Sequence, residues 1–127
     1  MQLSLFNNDS KSEIAGCVVE HFQGFYSLVQ ASDLFARIQA ETPWVQSEIR
    51  VYGRVHPIPR LNAWYGDRSY TYSGSRMDSL PMTETIEASR QKIQAETGDE
   101  YNAVLLNLYR DGNDTVGWHS DDEPELD

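Results

Sequence analysis

Apolar and polar positions change rhythm several times along the chain, and each rhythm predicts an element. Ile14 to His21, built around Cys17-Val18-Val19, reads as a short strand. Phe22-Gln23-Gly24-Phe25 reads as a turn with aromatic anchors. Ala31, Leu34, Phe35 and Ile38 recur at i, i+3, i+4 and i+7, one face of a helix that ends at Thr42-Pro43. Ile49-Arg50-Val51-Tyr52 and Arg54-Val55-His56 flank Gly53 and predict a hairpin. Leu61 to Tyr65 is a further strand, Gly66 to Ser69 a turn, and Tyr70-Thr71-Tyr72 a short alternating strand followed by a loop through Pro81. Thr83 caps a second helix that reaches Thr97 and is closed by Gly98 in the left-handed region.

The last quarter has the strongest pattern. Tyr101 to Tyr109 is an apolar run that predicts a buried strand, Asp111 to Asp114 a turn, and Val116 to Asp121 a second extended segment. On a strand His119 and Asp121 would share a face, and imidazole and carboxylate would converge. The order of elements predicts an α+β fold, helices and a hairpin packed on a mainly antiparallel sheet, in a single domain of 1–127. Met1 to Lys11 is polar and expected to be flexible.

Charge divides the chain further. Net charge is −10, which argues against general nucleic-acid binding. Acidic residues crowd the C-terminus, while Arg50, Arg54, Arg60, Arg68 and Arg76 are interleaved with Tyr52, Trp64, Tyr65, Tyr70 and Tyr72. That mixture suits phosphate contact with base stacking, and equally a strand-rich region with solvated arginines. The single cysteine, Cys17, has no nearby His or basic partner and reads as a core residue; with no apolar membrane span or signal peptide, a cytoplasmic, reducing location is expected.

The chemistry centres on His119 and Asp121. Such a pair is two thirds of the two-His-one-carboxylate set that holds non-haem Fe(II). A bare His-x-Asp is also what a surface pair looks like, and the acidic cluster beside it could serve a hard cation, although it lacks the spacing of an EF-hand loop. His21 and His56 are the other histidines from which a third ligand could come. No Gly-rich phosphate loop, zinc spacing or nucleophile elbow is present.

Three blocks in order, Pro59-Arg60-Leu61-x-Ala63-Trp64-Tyr65-Gly66-Asp67, Tyr70-Thr71-Tyr72-Ser73-Gly74, and Asn107-x-Tyr109-x-Asp111-Gly112-x-Asp114-x-x-Gly117-x-His119-x-Asp121-Asp122-Glu123, resemble the AlkB family. That family comprises Fe(II)- and 2-oxoglutarate-dependent dioxygenases that demethylate nucleic acids. The resemblance implies a double-stranded β-helix (jelly-roll) fold, here incomplete, with 12–98 as helices and a substrate-recognition lid and 99–127 as the start of the core. It implies His119 and Asp121 as iron ligands, and Asn107 and Tyr109 as partners of 2-oxoglutarate. Asp122 and Glu123 would contact the flipped base or organise its pocket. Tyr70, Tyr72 and Ser73 would line that pocket, Arg60 would lie near the nucleic-acid strand, and the hairpin around Tyr52 would fill the stack when a base leaves it. The implied partners are DNA or RNA bearing bases such as 1-methyladenine or 3-methylcytosine, together with O2, acting on a monomer away from membranes. In the family the distal histidine and the arginines that clamp 2-oxoglutarate lie beyond the position matched by Asp127. The chain alone is therefore expected to be a truncated member with little or no turnover, and Arg110 is the nearest candidate clamp.

Overall fold

A computed structural model describes residues 10–72 and 74–126. The elements are β1 (Ser10–Ile14), β2 (Cys17–His21), α1 (Leu28–Glu41), β3 (Glu48–Val51), β4 (Arg54–Pro57), β5 (Leu61–Gly66), β6 (Tyr70–Tyr72), β7 (Ser75–Met77), α2 (Glu84–Thr97) and β8 (Ala103–Leu108). The described strands pair antiparallel as β1–β2, β3–β4, β5–β8 and β6–β7, so the α+β class holds. By packing the chain falls into two units, 1–37 and 38–127.

In the first unit, the strand expected over Ile14 to His21 is a hairpin. Ala15 and Gly16 turn the chain at φ 51° and 82°, so Ser10 and Lys11, expected to be flexible, open β1 instead. The rest of the N-terminal segment expected to be flexible lies outside the described residues. Cys17 is exposed rather than core, because among the described residues of its unit no element covers that hairpin face.

In the second unit the β5–β8 ladder carries the core, pairing Leu61 with Leu108 and Gly66 with Ala103. It also joins segments on either side of the division expected at 98. One face sets Ala63 opposite Leu106 and Tyr65 opposite Val104, and is covered by Ile86 of α2, Ile38, Trp44, Leu80 and Met82. Strict alternation puts Trp64, Asn62, Leu105 and Asn107 on the other face. There Trp64 stacks on Tyr70 with centroids 4.5 Å apart, and Met77 and Ala103 pack beside them. Beyond this cluster Leu105 and Tyr109 remain 40% and 44% exposed. The strand expected to be buried is thus half-buried, its second face left open at Leu105 and Asn107.

The second helix begins and ends where the sequence places it. The Thr83 hydroxyl accepts from the Ile86 amide, and Gly98 sits at φ 78° with its N–H donated to the Gln94 carbonyl. Arg90 pairs with Glu87 and also donates to Gln94 Oε1 and to the Tyr101 carbonyl, fastening the helix to the approach to β8. In the core, Tyr65 is 1% exposed and its hydroxyl has no partner among the described residues. A buried donor without a partner destabilises, so Tyr65→Phe is expected to stabilise the chain by about 1 kcal/mol, read from urea unfolding.

Candidate metal and co-substrate site

His119 and Asp121 come together, but not on a strand. The residues after β8 form a turn and then irregular chain. The turn is built from side chains. Asn113 N–H donates to Asp111 Oδ1 (2.8 Å), and Asp114 accepts from the Arg110 backbone N–H (2.8 Å), Nε (2.8 Å) and Nη2 (2.9 Å). Arg110 and its backbone amide hold the Asp114 carboxyl down to about 2. Arg90 and Gln91 likewise hold Glu87 down to about 2. Both groups therefore contribute stability that is complete above the ordinary carboxylate pKa of about 4 and is lost as pH falls toward 2. The expected result is a falling urea midpoint across that window, with Asp114→Asn flattening the part of the slope that Asp114 supplies. The same pairing spends the Arg110 guanidinium on the turn rather than on a ligand.

The next contacts set the imidazole. His119 Nδ1 lies 2.8 Å from the Gly117 carbonyl oxygen. A carbonyl only accepts, so Nδ1 turns an N–H toward it. Nε2 faces Asp121 Oδ1 at 3.2 Å, a spacing that a direct hydrogen bond from Nε2–H spans and that also suits two ligands of one cation. Two ligands each about 2.1 Å from one metal ion and at a right angle are about 3.0 Å apart, so the spacing suits neighbouring positions on one ion. A hydrogen bond from the other ring nitrogen to a backbone carbonyl is the usual way a metal-binding histidine is oriented. The side chains are 40% and 72% exposed, which leaves the site open. Among the described residues no group of three or more His, Cys, Asp or Glu side chains converges, so within its unit His56 does not complete the set.

Of the co-substrate candidates expected on one strand, Asn107 lies in β8 and Tyr109 just beyond its end. Asn107 and Tyr109 are exposed and two residues apart, and Asn107 stands opposite Asn62 in the ladder. Asn62 itself is buried, accepting from the Ser47 hydroxyl. Arg60 departs from the expectation of a nucleic-acid contact. It is 8% exposed, its Nε donates to Asn107 Oδ1 (3.2 Å) and its Nη1 to the Thr115 carbonyl (3.4 Å). Alternation along β5 carries it to the same face as Asn62 and Trp64, where the ladder encloses it. Tyr70 is also corrected: at 2% exposure it is the buried partner of Trp64, not a pocket wall. Of Tyr72 only the backbone is described, paired with Ser75, and Ser73 lies outside the described residues. Asp122 is exposed, whereas Glu123 turns inward and its Oε2 is buried with no partner among the described residues.

The arginine-aromatic region therefore separates into two parts. Trp64, Tyr65, Tyr70 and Arg60 are interior, while Arg50, Tyr52 and Arg54 are exposed on the β3–β4 hairpin. Tyr52 sits at the hairpin tip at φ 48°, followed by Gly53 at φ 76°, and is fully exposed. Left-handed backbone at a bulky residue is strained, and a bare aromatic ring held out by strained backbone favours a surface role. A groove of about 1060 Å³ runs along Trp64, Arg68, Arg90, Tyr101 and Leu126. It is lined by neither the His119–Asp121 pair nor Asn107 and Tyr109, and Arg90 within it is already engaged.

Sequence reasoning missed the Gly117 carbonyl and the inward role of Arg60. Gly117 was visible only as a spacing residue, and Arg60 only as one basic residue in a basic stretch.

Comparison with known proteins agrees with this chemistry. Residues 18–127 match the family described as 2OG-Fe(II) oxygenase superfamily. The chain is 39% identical over 109 residues to the alpha-ketoglutarate-dependent dioxygenase alkB homolog 3 of Rattus norvegicus, covering 83% of this chain and 36% of that protein. It is 34% identical over 106 residues to the DNA oxidative demethylase ALKBH2 of Bos taurus, covering 80% and 38%. A plant relative, the DNA oxidative demethylase ALKBH2 of Arabidopsis thaliana, is 31% identical over 112 residues, covering 81% and 35%. The chain thus spans little more than a third of the length of these relatives. Matched by that family model over residues 18–127 and by relatives 34–39% identical over at least 80% of its length, the chain belongs to the AlkB family of 2OG-Fe(II) oxygenases, dioxygenases that use Fe(II) and 2-oxoglutarate.

Proposed function

We propose that the chain serves oxidative demethylation of N-alkylated bases, such as 1-methyladenine and 3-methylcytosine, in DNA or RNA. The observation that carries this is the His119–Asp121 pair, 3.2 Å apart with the imidazole held by Gly117. Similarity to DNA oxidative demethylases supports a nucleic-acid substrate. In this reading β5 and β8 belong to a jelly-roll core. His119 and Asp121 hold Fe(II), and Asn107 and Tyr109 hydrogen-bond the 2-oxoglutarate.

Fe(II) and 2-oxoglutarate, when bound, would supply oxidation by O2, one oxygen atom converting 2-oxoglutarate to succinate and CO2 and the other hydroxylating the N-methyl carbon, whose product separates into formaldehyde and the repaired base. The chain's own residues bind, orient and select. Asp122 accepts from an exocyclic amine, favouring bases that carry one, and Glu123 shapes the pocket beside it. Tyr52 enters the stack in place of the extruded base, with Arg50 and Arg54 on nearby phosphates. A local basic, aromatic hairpin of this kind lets a chain of net charge −10 approach nucleic acid. Two protein donors, with no third among the described residues, favour weak metal binding and little turnover by this chain alone. The same observation favours a second reading, a non-catalytic nucleic-acid-binding role.

Formaldehyde release with Fe(II), 2-oxoglutarate and an oligonucleotide carrying 1-methyladenine separates the two. Release that falls to background in His119→Ala supports demethylation. Release no greater than that of the variant, with salt-dependent oligonucleotide binding retained, supports the non-catalytic reading instead.

A further inference from the structure

We infer that Arg60 is a positioning residue, fixing which end of the Asn107 amide faces the co-substrate. The inference rests on the proposed role of Asn107. An asparagine amide has an acceptor end and a donor end, and its neighbours decide which way round it stands. A guanidinium has donors only. With Arg60 Nε 3.2 Å from the side chain of Asn107, the end turned toward Arg60 is Oδ1. The NH2 end is therefore turned away from it, on a strand face that remains exposed. A donor on that face suits a carboxylate, and an amide flipped the other way would set an oxygen against the ligand's charge.

Arg60 is well placed to hold the choice. It is 8% exposed, so water competes little for its donors. Its Nη1 reaches the Thr115 carbonyl, and the Thr115 N–H donates to the Pro59 carbonyl at 2.8 Å. One side chain thus links the orientation of Asn107 to the start of the segment that carries His119.

The test uses the 15N-labelled chain with Zn(II) as a redox-silent metal and 2-oxoglutarate as titrant, reading affinity in every variant from the backbone amide resonances of residues 107 and 109, and the Asn107 side-chain NH2 resonances wherever Asn107 is kept. The wild-type pair is expected to shift on titration. Arg60→Met should weaken the apparent affinity roughly ten- to hundredfold, the range of a hydrogen bond to a charged group, while Arg60→Lys, which keeps a donor, should retain most of the response. Asn107→Asp keeps an acceptor for Arg60 and hence the fold, yet presents no donor, and should lose binding. It remains informative if Arg60→Met fails to fold. Titration of Arg60→Met like wild type overturns the inference alone. Unchanged binding by Asn107→Asp, or no response in the wild-type amide, overturns the proposed role of Asn107 and the inference with it. Arg60→Lys behaving like Arg60→Met while folding normally would also count against it, since a donor at that position would then not suffice.

Discussion

Replacing His119 by alanine is expected to abolish measurable Zn(II) binding by the chain, whereas His56→Ala leaves it unchanged. The pair brings two protein donors together, and among the described residues of their unit His56 does not join them. Losing an outer partner of a metal site typically lowers affinity about 10–100-fold, so losing one of two direct donors should cost at least roughly a hundredfold. Asp121→Asn should weaken binding less than His119→Ala, because an amide oxygen still coordinates. Calorimetric titration with Zn(II) separates these variants. Equal affinity for His119→Ala and wild type would mean that the metal sits elsewhere, and the assignment of the pair would fall.

The largest expected loss of stability follows from Trp64→Ala. Trp64 is 8% exposed, stacks on Tyr70 with planes 17° apart, and donates from Nε1 to the Arg68 carbonyl at 2.6 Å. Truncation therefore removes a ring from the second core, leaves Tyr70 facing a void and frees the turn between β5 and β6. Buried Trp→Ala changes cost about 3–5 kcal/mol, a large share of a small domain's total stability. Trp64→Phe keeps part of the stack and forfeits the hydrogen bond, and should cost about 1–2 kcal/mol. Urea unfolding followed by far-UV dichroism measures both. A loss below 1 kcal/mol for the alanine variant would mean that this cluster is not a core.

Much of this arrangement was legible where local chemistry decides it. Thr83 and Gly98 mark the ends of a helix by hydrogen-bonding rules that act within a few residues, and the structure follows them. The hairpin around Tyr52-Gly53 and the strand that carries Asn107 follow from turn chemistry and alternation, which are likewise local. What was not legible depends on partners distant in sequence. Ser75 to Met77 is too short to announce itself as a strand, and pairs because Tyr70 to Tyr72 lies beside it. Arg60 reads as a surface residue until Asn107, far along the chain, is seen to accept from it. Ala15 gave no turn signal because alanine seldom takes a positive φ. His119 and Asp121 stand 3.2 Å apart without sharing a strand, and the Gly117 carbonyl oxygen lies 2.8 Å from the imidazole.

The β5–β8 ladder also fixes the order in which the chain can fold. β1–β2 and β3–β4 each close over two residues, and such local pairings form in microseconds. β5 and β8 can meet only after the intervening turn, hairpin and α2 have been gathered into a closed loop, whose entropy must be lost before the ladder returns any contact. Zipping is cheapest from the Gly66–Ala103 end, where the loop is shortest. The Arg60–Asn107 bond lies at the opposite end and forms last. The contact that orients the candidate co-substrate residue is therefore also the first to open when the ladder frays, which places the least persistent part of the sheet at its most chemically specific position.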